Sequence, residues 1–352
     1  MEKLWLLPLL SITGLFFATA CEDNPATSSA DQSPETDVAP TEKISVLLVD
    51  GQNNHRWMET SPMLVRILED SGHFVVTVST SPPAPPRAPR KPKNATPEQE
   101  AKFAEQFEVW KAEAEKIKAD SAAAFAEWRP VFSDYEVVIS NYNGERWPKE
   151  VETAFEEYVA GGGGFVVLHA ANNAFPDWTA YNEMIGLGGW GGRNELSGPY
   201  LRLRDGEWTR DMTPGRGGAH GRQHEYVVES QTDHPIVAGL PKRWLHVKDE
   251  LYDRLRGPAN NIAVIAAALA SEDTGGSGEW EPVLMTLEYE KGLVFHTVLG
   301  DNANSMNGLG FQETLLRGTE WAARGEVSLT GGEVTELSEQ SAALGSVLTG
   351  DE

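Results

Sequence analysis

The chain has 352 residues, of which 40% are hydrophobic and 23% are charged, and its formal net charge at pH 7 is -24. This composition is typical of a globular protein that is long enough for one large or two modest domains. The negative charge disfavours nucleic acid, or an anionic membrane, as a partner attracted by bulk electrostatics. Cys21 is the single cysteine, so internal disulfides and a thiolate metal cluster are excluded.

Residues 1–21 have the pattern of a signal peptide, in which Lys3 precedes a short apolar run that ends in Ala-Thr-Ala-Cys. A cysteine directly after small residues is typical of a bacterial lipoprotein cleavage site. We therefore expect a lipidated Cys21 to anchor the protein at a membrane of the bacterial cell envelope, either periplasmic or surface-exposed. Plain secretion is the alternative. Residues 22–42 are rich in Pro, Ser and acidic residues, which predicts a disordered tether.

The following residues, 43–327, predict one α/β domain. Its early strands are apolar throughout, which indicates burial on both faces, and each one ends in a polar loop. Amphipathic helical segments separate them, so the pattern predicts a doubly wound, mostly parallel sheet. The early strands are expected at 44–49, 74–78, 136–140 and 165–168, later strands at 262–270, 283–290 and 293–299, and helices at 61–71, 148–160 and 311–323.

Residues 82–130 interrupt this pattern and predict an insertion. A proline-rich segment comes first, and Thr96-Pro97-Glu98-Gln99 then forms a capping box. Aromatic residues recur behind it at helical spacing, which predicts one long amphipathic helix whose aromatic stripe serves packing. A partner-docking role for this helix is an alternative. Residues 181–225 are loop-rich, which favours a functional segment, and residues 328–352 predict a loose polar tail.

The stretch Gly161–Trp178, GGGGFVVLHAANNAFPDW, contains the clearest candidate site. A buried strand ends at His169, in the tight turn where α/β hydrolases and class I amidotransferases carry a Ser or Cys nucleophile. Neither Gly-x-Ser-x-Gly nor Gly-x-Cys-x-Gly occurs in the sequence, which disfavours covalent acyl transfer. A Walker loop is also missing, and the first βα turn lacks Gly-x-Gly-x-x-Gly, so ATP or a nicotinamide is unsupported as partner.

Further polar residues are candidates for chemistry. His220, His224 and Glu225 lie close together in the loop-rich region, where they could ligate a divalent metal such as zinc or manganese, hydrogen-bond a polyol or serve the structure. Asp249 and Glu250 could supply a general acid or base, but adjacent carboxylates point in different directions, so at most one should face a cleft.

Several motifs occur together and in order, and with them the chain resembles the ThuA-like (trehalose utilisation) family. They include Asn54-His55-Arg56-Trp57, the His169 stretch, YNEMIGLGGWGGRN, HGRQHEYVV, VKDELYDRL and GLVFHTVLGD. The resemblance implies a flavodoxin-like fold, similar to class I glutamine amidotransferases but without their cysteine. It also implies a link to sugar metabolism, including disaccharides oxidised at C3. Family members often have Leu-Gly-His after the late strand, whereas this chain has Leu299-Gly300-Asp301.

From these observations we expect an extracytoplasmic protein that hydrolyses, eliminates or isomerises a sugar or keto-glycoside, with a small carbohydrate as its partner. A non-catalytic carbohydrate-binding lipoprotein is the alternative. The expected catalytic residues are His169, Asp249 and Glu250, and the tentative metal ligands are His224 and Glu225. The expected substrate-binding residues are His55, Trp57, Asn141, Asn172, Trp178, Arg193, His220 and Tyr252.

Overall fold

The computed structural model describes residues 42–85, 88–329 and 334–347, which belong to one compact unit. The predicted signal peptide, Cys21 and the tether up to residue 41 lie outside the described residues. None of the helices in these three ranges combines the length and apolar character that a membrane crossing requires.

The described residues form five α-helices and thirteen strands. The helices are α1 (Trp57–Asp70), α2 (Pro97–Glu127), α3 (Lys149–Ala160), α4 (Thr179–Ile185) and α5 (Leu309–Arg324). The strands are β1 (Ile44–Asp50), β2 (Phe74–Thr80), β3 (Val137–Ser140), β4 (Gly164–Leu168), β5 (Tyr200–Arg204), β6 (Glu207–Asp211), β7 (Ala219–His220), β8 (His224–Ser230), β9 (Arg243–Asp249), β10 (Tyr252–Asp253), β11 (Ile262–Leu269), β12 (Trp280–Tyr289) and β13 (Gly292–Thr297).

Nine strands form the central sheet in the order β2-β1-β3-β4-β13-β12-β11-β8-β9. The first five are parallel, and they are ordered as in flavodoxin-like folds. The remaining pairings are antiparallel, so only β12 and β8 run opposite to β1. The predicted doubly wound, mostly parallel sheet is confirmed.

Helices cover both faces of the sheet. A Cβ on Gly164 would meet the backbone of Ala322 in α5, at 2.4 Å from its carbonyl oxygen. The next residue, Phe165, points to the opposite face because side chains alternate along a strand. There its ring contacts Phe155 of α3 and Tyr181 of α4. A buried strand with helices on both faces has no solvated side, which explains its wholly apolar sequence.

The inserted helix α2 begins at the predicted capping box, where the backbone N–H of Gln99 donates to the Thr96 hydroxyl. The expected packing role holds only in the C-terminal half of the helix, from Ala114 onward. Of its residues, all of them described, the buried ones are Ala114, Ser121 and Phe125. Most of the helix is therefore exposed to solvent.

One expectation about irregular regions is refined and another is wrong. The loop-rich region 181–225 contains the β5–β6 hairpin and β7, which pairs with β10. The described part of the tail, 334–347, is packed rather than loose, because Leu337 and Val347 are buried. Its backbone also pairs with the domain, since the N–H of Leu245 in β9 donates to the Ser338 carbonyl at 2.7 Å.

Candidate functional site

Polar side chains from several strand ends converge at one edge of the sheet. His55 follows β1, His169 follows β4 and Glu250 follows β9, and ligands of open α/β sheets bind at such carboxyl ends. A cavity of about 370 Å³ lies there, lined by Asn54, His55, Asn143, Asn173, Trp190, Gly191, His220, Glu250 and Tyr252. A second cavity of about 910 Å³ shares Asn54 and His55 with the first and also includes Asp301.

His169 occupies the tight turn in a strained conformation, because its φ of 43° lies in the left-handed region that a side chain disfavours. Its Nδ1 is 2.6 Å from the Val298 carbonyl, and this acceptor assigns the ring proton to Nδ1. In the neutral ring Nε2 is therefore a free acceptor, and it is buried without a hydrogen-bond partner among the described residues. Burial alone would lower the pKa of His169, but the nearby Glu250 and Asp249 carboxylates raise it overall.

Glu250 faces the smaller cavity from between two imidazoles. Its Oε2 is 3.8 Å from Nε2 of His169, and its Oε1 is 3.8 Å from Nε2 of His220. The neighbouring Asp249 points away from the cavity and is fully buried. Of the two adjacent carboxylates, Glu250 is thus the one in reach of a ligand.

Asp249 instead organises the backbone of the site. Its carboxylate accepts N–H bonds from Glu250 at 2.8 Å, Gly300 at 2.8 Å and Asp301 at 3.1 Å, and Nε2 of His246 lies 3.0 Å away. This arrangement ties the end of β9 to the loop after β13. Asp249 is therefore placed to position Glu250 and Asp301, not to touch a ligand.

Asp301 lies where the chain departs from the Leu-Gly-His pattern. Its Oδ1 is 2.6 Å from Nδ1 of His55, and Gln223 and Asn302 donate side-chain N–H bonds to its Oδ2. Burial would raise the pKa of Asp301, but the bond to His55 and the charge that His169 carries when protonated lower it overall. The carboxylate is thus held ionised inside the site.

Two aromatic residues form the wall beside these groups. The Tyr252 hydroxyl is 3.2 Å from Nε2 of His55, and the Tyr252 ring centroid is 4.1 Å from that of His169. Burial and the Glu250 charge raise the pKa of Tyr252 well above its usual value, so the hydroxyl stays protonated. Trp190 packs edge-on against Tyr252, with ring centroids 4.7 Å apart.

Four of these residues could hold a metal ion. His55, His169, Glu250 and Asp301 each offer one ligand atom, and all four atoms lie within 4.8 Å of one another. His224 and Glu225, which the sequence suggested, are outside this group. Nδ1 of His224 is 2.9 Å from the Arg222 carbonyl, and Glu225 is exposed.

Some expected substrate contacts are buried away from both cavities. The guanidinium of Arg193 is only 3% exposed, and it donates to the carbonyls of Asn173, Ala174 and Gly189 and to the Asn182 side chain. Its pKa is lowered to about 10 because burial disfavours the charge. Arg193 therefore connects the loops around the cleft through its hydrogen bonds.

The side-chain amides of Asn172 and Asn141, also expected to bind substrate, are likewise buried and bonded within the protein. Asn172 is fully buried and its side-chain nitrogen lies 3.0 Å from Nε2 of His296, while Asn141 donates to the hydroxyls of Thr60 and Ser61. Both amides are thus engaged inside the protein.

Two expected sugar-binding tryptophans are also outside the cavities. Trp178 is 2% exposed, lies in an aromatic cluster with Trp147 and donates its indole N–H to Glu156. Trp57 begins α1 and lines neither of the two cavities described above.

The site also contains residues that are outside the expected catalytic, substrate-binding and metal-ligating sets. They are Asn54, Asn143, Asn173, Trp190 and Asp301. Each follows a predicted strand or lies in a glycine-rich loop of the sequence. Most of them could have been predicted from their position after a strand, which is also how His169 was identified.

The sheet order and the strand-end cleft define a flavodoxin-like α/β protein with a polar site. The family model for ThuA, described as trehalose utilisation, matches residues 91–322. The chain belongs to this family.

One solved structure supports the family assignment, and a second supports the fold. A ThuA-like protein from Parabacteroides merdae is 38% identical, with a TM-score of 0.72 over 86% of this chain and 98% of that chain. A ThuA-like protein from Bacteroides uniformis is 16% identical, with a TM-score of 0.51 over the same shares. No curated protein matches the chain.

Proposed function

We propose that this protein acts on a sugar or keto-glycoside by acid–base chemistry in the cleft. The observation that carries the proposal is the position of Glu250. Its carboxylate stands at the wall of a cavity of about 370 Å³, with the imidazoles of His169 and His220 each 3.8 Å from one of its oxygens. A carboxylate that is partly exposed beside two imidazoles is suited to accept and return protons.

The rest of the cavity wall supports a carbohydrate ligand. The aromatic rings of Trp190 and Tyr252 form part of the wall, and the amides of Asn54, Asn143 and Asn173 offer hydrogen bonds. A sugar ring presents an apolar face and a rim of hydroxyls, which this combination of surfaces matches.

A keto-glycoside would supply an acidic proton. When C3 carries a carbonyl, the hydrogen on C2 is acidified, so Glu250 can remove it as a proton and leave an enolate. The enolate oxygen needs a positive group beside it, which His169 could provide as an imidazolium or as the ligand of a cation. If a proton is delivered to the opposite face of C2, the result is isomerisation by inversion at C2. If the C1–O bond breaks and the departing oxygen takes a proton, the result is elimination, and addition of water would complete a hydrolysis.

The test is incubation of the purified protein with 3-keto-trehalose and, as the matched control, with trehalose. We expect the keto-sugar to be converted and trehalose to remain unchanged, as followed by mass spectrometry and NMR. Recovery of bound but unaltered keto-sugar would contradict the proposed reaction and would favour a carbohydrate-binding protein. We also infer that lipidated Cys21 holds the protein in the bacterial cell envelope.

A further inference from the structure

Four segments that are distant in sequence bring two imidazoles and two carboxylates together. His55 follows β1, His169 follows β4, Glu250 follows β9 and Asp301 follows β13. Their ligand atoms lie within 4.8 Å of one another. All four side chains are buried or partly buried, in contrast to a solvated acidic patch.

His169 is the member of this group that most needs a partner. Its Nδ1–H donates to the Val298 carbonyl at 2.6 Å, so the lone pair of Nε2 points toward the other three residues. Nε2 is buried without a hydrogen bond, and the nearest carboxylate oxygen, Oε2 of Glu250, is too far away at 3.8 Å. Leaving such an acceptor unpaired is costly, and a metal ion in the group would satisfy it. Metal-binding histidines typically donate their other ring N–H to a backbone carbonyl in this way.

The carboxylates of the group are held by a surrounding shell. Gln223 and Asn302 donate to Asp301, and Asp249 accepts the backbone N–H groups of both Glu250 and Asp301. Hydrogen-bonded carboxylates of this kind are common around metal ligands because they fix the ligand orientation before the ion binds.

We propose that His55, His169, Glu250 and Asp301 bind one divalent transition-metal ion of the zinc or manganese type. Two imidazoles with two carboxylates form a ligand set that such ions accept. His55 and Glu250 also line the smaller cavity, so the ion faces the space where a ligand would bind. The binding of the ion is independent of the proposed function, but its chemical role rests on that function.

That role is the polarisation of a carbonyl. An ion at this position acts as a Lewis acid on the carbonyl oxygen of a keto-sugar and stabilises the enolate. Glu250 reaches the ion through Oε2, on the side of His169, and keeps Oε1, on the side of His220, toward the cavity for the proton.

The experiment uses the full chain, stripped with a chelator and dialysed. Titration with ZnCl2 and separately with MnCl2, followed by calorimetry, should show one ion per protein and a rise in Tm. His169→Ala and Asp301→Ala should each weaken binding by about 100-fold or more. The matched control is His224→Ala, which removes a partly exposed imidazole outside the group and should bind like the wild type.

Loading the wild-type chain with Co²⁺ provides a readout that needs no variant. We expect d–d absorption bands of a site with nitrogen and oxygen ligands, and Zn²⁺ should abolish them by competition. Failure of the wild type to bind any of the three ions at millimolar concentration would overturn the proposal, as would equal binding by folded His169→Ala. Turnover that a chelator leaves unchanged would contradict the metal but not the proposed function. Metal binding without turnover would contradict only the function.

Discussion

Two buried imidazoles, His296 in β13 and His169 just after the neighbouring β4, show how surroundings decide the role of a residue. His296 lies in β13, opposite Val167 of β4. His169 comes two residues after Val167, just beyond the end of β4. The Nδ1–H of His296 donates to the Ile185 carbonyl at 2.9 Å, and Nε2 accepts from Asn172 at 3.0 Å. Burial lowers the pKa of His296 to about 4. His296 is thus a satisfied neutral core residue, whereas His169 faces carboxylates and has a raised pKa.

The neutral state of His296 predicts a loss of stability in acid. Below about pH 6.5, the unfolded chain gains a proton on this imidazole, while the folded chain does not gain it until about pH 4. The free energy of unfolding should therefore decrease as the pH is lowered from about 6.5 to about 4. In His296→Gln this decrease in the free energy of unfolding should be smaller by about 2–4 kcal/mol.

The measurement is urea denaturation of the wild type and His296→Gln at pH 7 and pH 4. The quantity of interest is the change between the two pH values, so a uniform destabilisation of the variant does not affect it. Parallel pH dependence of the two proteins would show that His296 titrates normally in the fold.

At the scale of the element, the turn after β13 depends on Gly300. Its φ is 97°, and a Cβ there would lie 2.7 Å from the Phe311 ring. We expect Gly300→Ala to destabilise the fold by about 2–4 kcal/mol, from backbone strain together with overpacking. The same change also displaces the backbone N–H groups that Asp249 holds.

A matched control for this substitution is Gly206→Ala in the β5–β6 turn. Gly206 has a φ of 87°, but a Cβ there would meet nothing within 4 Å. It should cost only the strain, about 1–2 kcal/mol. The measurement is thermal or urea unfolding. Equal losses in the free energy of unfolding for the two variants would show that the Phe311 ring moves aside without cost.

The inserted helix α2 should contribute to stability only in its C-terminal half. Phe125 is buried and its ring contacts Trp128, which in turn contacts Trp147 of the core. Phe125→Ala should cost about 3 kcal/mol or more. Phe103→Ala, at a partly exposed position, should cost less than about 1 kcal/mol. Similar losses in urea denaturation would contradict this division of the helix.

The sequence predicted the sheet well because burial on both faces leaves an unmistakable pattern. The runs around Val46 and Phe165 are apolar at every position, and the structure places both in the central sheet. The hairpin β5–β6 was missed because its sequence, YLRLR-DG-EWTRD, carries many charges. Two of its arginines are paired with acids, Arg202 with Glu281 and Arg204 with Glu279, so the charges hid the strand pattern.

The site was predicted in position but only partly in membership. His169 and His55 were found because polar residues after buried strands converge at one sheet edge, whereas Glu250 was found as a member of an acidic pair. Arg193 could not be assigned in the same way. The sequence does not reveal whether a guanidinium donates to a ligand or, as here, to backbone carbonyls of its own loops.

At the scale of the whole molecule, the proposed anchor makes a prediction about location. Cys21→Ser should prevent lipidation and shift the protein from the membrane fraction to the soluble fraction or block its maturation. The measurement is cell fractionation with labelled fatty acid, in which the wild type should incorporate label. Unlabelled wild type in the soluble fraction would contradict the anchor.

The central claim is that Glu250 exchanges a proton next to a sugar carbonyl. NMR of 3-keto-trehalose in D2O with the protein measures this step directly, because deuterium replaces the hydrogen on C2. Wild type should catalyse the exchange, Glu250→Gln should slow it by about 100-fold or more, and Glu225→Gln, which alters an exposed carboxylate outside both cavities, should behave as wild type. A Glu250→Gln variant that exchanges deuterium at the wild-type rate would contradict the account, as would a wild type that catalyses no exchange.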